Sequence, residues 1–253
     1  MNLTLKLPSF VAATLLAAAA CFPILSQAHA MTSTSQFFDS GPQAALEIAI
    51  RGDDVAGMND ALRHGASVNA TGKFNITPLM VAVDAQRLLA VQLLLKAGAL
   101  PNAVALDKNG PVSLAVKSYL AQPHGREIML ALFRGGGNPD TRQPDGDPVL
   151  MRFVYDRDVA DLAVMKSFGA NLDILDRAGD PLVTKLAMSQ TWDMVWAFIE
   201  LGAEVDYENG RSRQPLSQAL KGNTAKPGTS LYAYKAKVWQ FLKNKGVALP
   251  PMN

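Results

Sequence analysis

Six times along the chain an apolar run stops on a glycine and the backbone turns. The stretches are RHGASVNA at Gly65, KAGALPNA at Gly98, RGGGNPDT at Gly136, SFGANLDI at Gly169, ELGAEVDY at Gly202 and a worn NKGVALPP at Gly246. The glycines are spaced by 33, 38, 33, 33 and 44 residues, so three steps are identical and two carry insertions of 5 and 11. A fixed period of this size excludes most single-core folds and requires a solenoid, in which each unit buries its apolar face only against its neighbours.

Two further columns run in phase. Four positions before the glycines lie Ala61, Leu94, Leu132, Met165, Phe198 and Leu242; seven positions before lie Met58, Val91, Met129, Leu162, Val195 and Trp239. All are apolar. Positions three apart share a helix face, so these columns predict the inner stripe of a helix that each glycine ends in a left-handed cap. Upstream, Pro78, Pro111, Pro148, Pro181 and Pro215 follow Thr77, Gly110, Asp147, Asp180 and Gln214. Proline suits the first helical position, and Thr and Asp are expected to cap there. Each unit thus reads as two short helices and a turn.

The pattern resembles the ankyrin repeat. The best match is TPLMVA at Thr77 joined to LLLKAGALPN, and the resemblance runs from about Gln43 to the C-terminus. It implies an all-α ankyrin-repeat solenoid of about six helix-pair repeats with short hairpin loops. The expected units are 43–69, 70–102, 103–140, 141–173, 174–206 and 207–253. The family's helix-start histidine is replaced throughout, by Met80, Ser113, Leu150, Val183 and Ser217, so its hydrogen bonds between units are expected to be missing or replaced.

Ahead of the repeats, Lys6 and the apolar run FVAATLLAAAACFPIL from Phe10 to Leu25 give way to SQAHA. That reads as a secretory signal over 1–30, cleaved near Ala30, with 31–42 as a linker whose Phe37 and Phe38 tuck against the first helix pair. The expected localisation is a bacterial periplasm. Cys21 is the only cysteine; a lipid anchor on it is the lesser alternative. No membrane insertion of the mature chain is expected.

Chemistry is sparse. Lys plus Arg is 24 against 22 for Asp plus Glu, a balance that calls for no nucleic-acid partner. Behind the signal only His64 and His124 remain, with no paired zinc-ligand spacing. GNTAKPGTS places Lys226 before Gly228, which fails the phosphate-loop order. RGD at Arg51 is a turn between helices, with Asp53 at a helix start. No cofactor, metal or catalytic set is expected, and the chain is read as a non-enzyme.

The resemblance implies that another protein binds the hairpin tips and first helices. The tips are Thr71 to Asn75, Leu106 to Asn109, Arg142 to Asp145, Asp176 to Ala178 and Glu208 to Arg213. The candidate partner-binding residues are Tyr207, Glu208, Arg211, Arg213, Trp192, Asp176, Arg177 and Arg142, with the fifth tip foremost because Tyr, Trp and Arg are enriched in binding hot spots. Exported bacterial ankyrin-like proteins of this size include immunity proteins. The expected function is therefore occlusion of a toxic secreted effector, such as a type VI secretion phospholipase. The alternative is an envelope scaffold for an endogenous, stress-related enzyme.

Overall fold

A computed structural model describes residues 35–119, 121–156, 159–205, 216–221 and 225–252. The expected signal, Cys21, the first residues of the linker, and the tip residues Tyr207, Glu208, Arg211 and Arg213 lie outside them.

The described helices come in six pairs. They are α1 (Gly41–Arg51) with α2 (Val55–Arg63), α3 (Pro78–Asp84) with α4 (Leu88–Lys96), and α5 (Pro111–Ser118) with α6 (Gly125–Arg134). Then follow α7 (Leu150–Asp156) with α8 (Val159–Ser167), α9 (Leu182–Met188) with α10 (Trp192–Glu200), and α11 (Leu216–Ala219) with α12 (Ser230–Asn244). First helices stack on first helices, α1 on α3 on α5 and α9 on α11. Second helices do the same, α2 on α4 on α6 and α10 on α12. This is the expected all-α solenoid.

A helix of seven to ten residues cannot hold itself together in water, so order comes from the shared core. Leu94, Leu132 and Phe198 are fully buried and Met165 nearly so, all in one apolar cluster running from Leu46 to Leu242. Each such side chain contributes roughly 1.5–3 kcal/mol by leaving water. The second column is buried too, except at its end. There Val238 takes the core position, and Trp239 is half-buried with its indole N–H donating to the Pro250 carbonyl at 2.9 Å. No further unit follows α12 among the described residues, so the tail folds over that ring instead.

The helix ends are built alike. Gly98 has φ 89°, and the glycines at 65, 136, 169, 202 and 246 share that left-handed conformation. A side chain added at Gly98 would meet nothing within 4 Å, so the requirement is backbone conformation and not space. The next amide then donates to the carbonyl five residues back: Ala99 to Leu94, Gly137 to Leu132, Ala170 to Met165 and Ala203 to Phe198. The residue that packs the core is also the one whose carbonyl closes the cap.

The helix starts differ from the expectation. Thr77 does cap, its hydroxyl accepting from the Met80 amide at 3.3 Å. Gly110 has no side chain to offer, and Ser113 accepts from the Gly110 amide at 2.8 Å. Asp147 and Asp180 do not cap. Pro148 and Pro181 are held in extended bridges to Arg142 and Leu175, so α7 and α9 begin only at Leu150 and Leu182. Likewise Asp54, not Asp53, caps α2 by accepting from Gly57 at 2.9 Å; Asp53 takes a left-handed turn position at φ 57°.

What links one unit to the next is a ladder of side chains. Past Gly98, Gly136, Gly169 and Gly202 the amide two residues on donates to a side chain of the unit before, and past Gly65 it donates to Gln43 at the start of the same unit. Ser67 donates to Gln43 at 2.9 Å, Leu100 to Asn69 and Asn138 to Asn102 at 2.8 Å, Asn171 to Asp140 at 2.8 Å, and Glu204 to Asp173 at 2.7 Å. Asn69 and Asn102 also donate back, to the carbonyls of Gly98 and Gly136 at 2.9 Å. These rungs connect units where the family histidine is missing. Asn102→Ala removes two bonds at an exposed site and is expected to cost about 1 kcal/mol. It should be read as a lowered urea midpoint with faster exchange of the Asn138 amide.

The five-residue insertion before Gly136 also has a definite place. The loop between α5 and α6 has six residues where that between α3 and α4 has three, and each helix gains one residue. Gly125 starts α6 where a Cβ would lie 2.6 Å from the Tyr119 carbonyl oxygen. Tyr119 in turn packs edge-on against Phe153 of α7 at 4.7 Å. Arg126 reaches the buried Asp161 of α8 at 2.6 Å. The insertion thereby ties the third unit to the fourth.

Candidate functional site: the hairpin edge

Between one helix pair and the next the chain makes a hairpin, and the four described hairpins are closed by equivalent bonds. Gly72 donates to Ile76, Ala105 to Asn109 and Gln143 to Asp147 at 2.8 Å, and Asp176 to Asp180 at 2.9 Å. Each turn needs one left-handed residue, supplied by Asn75 (φ 59°), Lys108 (65°), Gly146 (94°) and Gly179 (86°). Neighbouring hairpins are joined in two pairs. Leu106 donates to the Phe74 carbonyl at 3.0 Å, Arg142 to the Leu175 carbonyl at 3.0 Å, and the Arg177 amide to Asp147 Oδ1 at 3.0 Å. The first two tips are therefore bonded to each other, and so are the third and fourth.

The first described tip is exceptional. Phe74 itself is left-handed, at φ 59°, immediately before Asn75. An aromatic residue rarely takes this conformation, at a cost of about 1–3 kcal/mol. The turn holds the ring outward, 65% exposed, and Leu106 on the bonded neighbouring tip is 67% exposed. Two large apolar side chains thus stand in water on adjacent tips, with main-chain geometry fixing both.

The tip also receives the chain that precedes α1. Phe38 is buried, and the Phe37 carbonyl accepts from the Lys73 amide at 2.9 Å. The anchor is Glu47 on α1, itself buried. Its carboxylate accepts from the Ser35 hydroxyl, from the amides of Gln36 (3.1 Å), Phe37 (2.9 Å) and Phe38 (3.3 Å), and from Arg51 (3.0 Å). Burial alone would raise its pKa. The Ser35, Phe37, Gln36 and Arg51 donors outweigh burial and hold it below the ordinary glutamate value.

The sequence-predicted contact residues fall in different places. Trp192 is fully buried, with its indole N–H on Gln190 at 3.1 Å, so it serves the core of the fifth pair and has no surface to offer a partner. Asp176 is 4% exposed and accepts from the amides of Ala178 and Asp180 and from Lys185 at 2.8 Å. Burial would raise its pKa, but Lys185 and those amides lower it. It organises its own hairpin. Arg142 is exposed but its guanidinium bonds the carbonyls of Gly146 and Leu175. Arg177 keeps an exposed side chain beside Asp147. Tyr207, Glu208, Arg211 and Arg213 lie outside the described residues. Phe74 and Leu106 lie on the first two expected tips but were not singled out among the candidate contact residues, although a phenylalanine inside a turn stretch such as TGKFN was a readable signal.

Among the described residues no group of three or more His, Cys, Asp or Glu side chains is placed to hold a metal ion, and no helix is long and apolar enough to cross a membrane. The edge offers shape, apolar surface and fixed main-chain groups, which suit recognition of another protein.

Compared with known families, residues 74–106 match the family model described as Ankyrin repeat. The match starts at Phe74, spans α3 and α4, and ends at Leu106, the two exposed tip residues.

Proposed function

Because the chain belongs to the ankyrin-repeat family, whose repeats are protein–protein interaction modules and are generally non-enzymatic, we propose that it binds an enzyme in the bacterial periplasm and blocks it by occlusion. The most specific form of this reading is an immunity protein against a toxic secreted effector, of which a type VI secretion phospholipase is the example to test first. The observation that carries it is the pair Phe74 and Leu106. An exposed aromatic held in a costly conformation beside an exposed leucine is a surface prepared for burial. A partner lying across these tips would meet a rigid face, because the tips are bonded to each other and the stack behind them is one core. The apolar stretch Phe10 to Leu25 with its small-residue exit supports export, with cleavage near Ala30.

Capture from the periplasm tests this directly. The expected result is one protein in stoichiometric amount whose enzymatic activity falls as the purified chain is added. Recovery of an endogenous enzyme that keeps full activity would favour the scaffold reading instead. Absence of any stoichiometric partner would count against both.

A further inference from the structure

The near-neutral total charge conceals a sharp division. Residues 7–208 carry fifteen Lys or Arg against twenty-two Asp or Glu, whereas residues 209–253 carry eight Lys or Arg and no acid at all. The described part of this basic end is α12 and the residues around it. Lys237 lies over the rings of Trp196 (5.4 Å) and Tyr234 (5.1 Å), Lys243 over Trp239 (4.9 Å) and Lys245 over Phe241 (5.1 Å). Trp196 of α10 meets Phe241 edge-on at 6.4 Å, so Lys237 and Lys245 flank one aromatic seam. The carboxylates of α10, Asp193 and Glu200, sit at its two ends, either side of Trp196.

We propose that the last helix pair is a second docking surface, and that its occupant is an acidic segment of a protein partner. Stacking on rings holds the ammonium groups in place at little further cost in side-chain order. Charge complementarity then selects an acidic polypeptide. Two other anions fit less well. Among the described residues none of the large exposed apolar side chains lies on this pair, so those residues offer no apolar anchor for a lipid surface. The chain's own lysines already lie over the rings of Trp196, Tyr234, Trp239 and Phe241, which bases would have to displace in order to stack.

The inference rests on the protein-binding reading above, but it is tested without the natural partner. The probe is a fluorescent peptide of alternating glutamate and glycine, offered to the purified full chain at low salt. Lys237→Gln, Lys243→Gln and Lys245→Gln together should weaken binding at least about tenfold, and salt should weaken it in the parent. The control is Lys96→Gln, Lys108→Gln and Lys166→Gln, exposed lysines of other units with the same change in charge; it should stay within about twofold of the parent. Equal losses in the two triples, no peptide binding by the parent, or tighter binding of phosphatidylglycerol vesicles or a single-stranded oligonucleotide would each overturn the proposal. Circular dichroism and thermal melting confirm that each triple is folded. Substituting Phe74 and Leu106 should leave peptide binding unchanged, so failure at one surface is separable from failure at the other.

Discussion

Replacing Phe198 by alanine is expected to cost about 3–5 kcal/mol, more than any change at the tips. Phe198 is fully buried on α10 between the fifth and sixth helix pairs, and its carbonyl receives the Ala203 amide that closes the helix cap at 2.9 Å. The cavity left behind cannot collapse easily, because α10 packs against both α9 and α12. In a solenoid the loss stays local before it becomes global, since each unit is held only by its neighbours. The last pair should therefore detach at lower urea than the rest. Denaturation followed by the fluorescence of Trp239 should precede that followed by circular dichroism. Leu100→Ala, at an exposed residue two positions past Gly98, should change stability by no more than about 0.5 kcal/mol. Equal effects of the two substitutions would contradict a continuous spine.

The second large effect is at Glu47. Glu47→Ala removes the acceptor for the Ser35 hydroxyl and for the Gln36, Phe37 and Phe38 amides, and leaves Arg51 without its carboxylate. Residues 35–38 then lose their anchor to α1. The expected cost is about 3 kcal/mol, bounded by the release of that segment into water. The same group sets a pH dependence. Its folded pKa is depressed, so its contribution is present above the ordinary value of 4.5 and is lost as pH falls through the lower folded value. Acid should expose the Lys73 amide, which donates to Phe37, before the helical core opens. Hydrogen exchange across that window measures it. Glu47→Gln should shift the loss so that it no longer follows acid pH.

The cap glycines were legible because a left-handed residue favours glycine whatever the surroundings, and all six of them take that conformation. The core columns were legible because helix geometry fixes which positions share a face. The slip from Trp239 to Val238 was not, since it depends on the tail reaching back to the indole. The capping role given to Asp147 and Asp180 failed for a related reason. The Asp147 carboxylate accepts from the Arg177 amide of the next hairpin instead, and Asp180 sits in a hairpin where its own amide donates to Asp176 and Pro181 is held in an extended bridge. At the candidate site, ranking by residue type put Trp192 and Asp176 on the surface, whereas packing buries one and hairpin closure buries the other. Phe74 and Leu106 lay on tips read from the sequence but were not singled out there, because their value lies in exposure and backbone conformation, which residue-type preference does not report.

The claim that the edge grips a protein is tested most directly by Phe74→Ser and Leu106→Ser together. Both side chains are exposed, so the double variant should melt with the parent, or slightly above it as apolar surface leaves water. The expected result is that the parent retains its stoichiometric partner through washing and the double variant does not. A double variant that is equally stable and captures the same partner in the same amount would contradict the account.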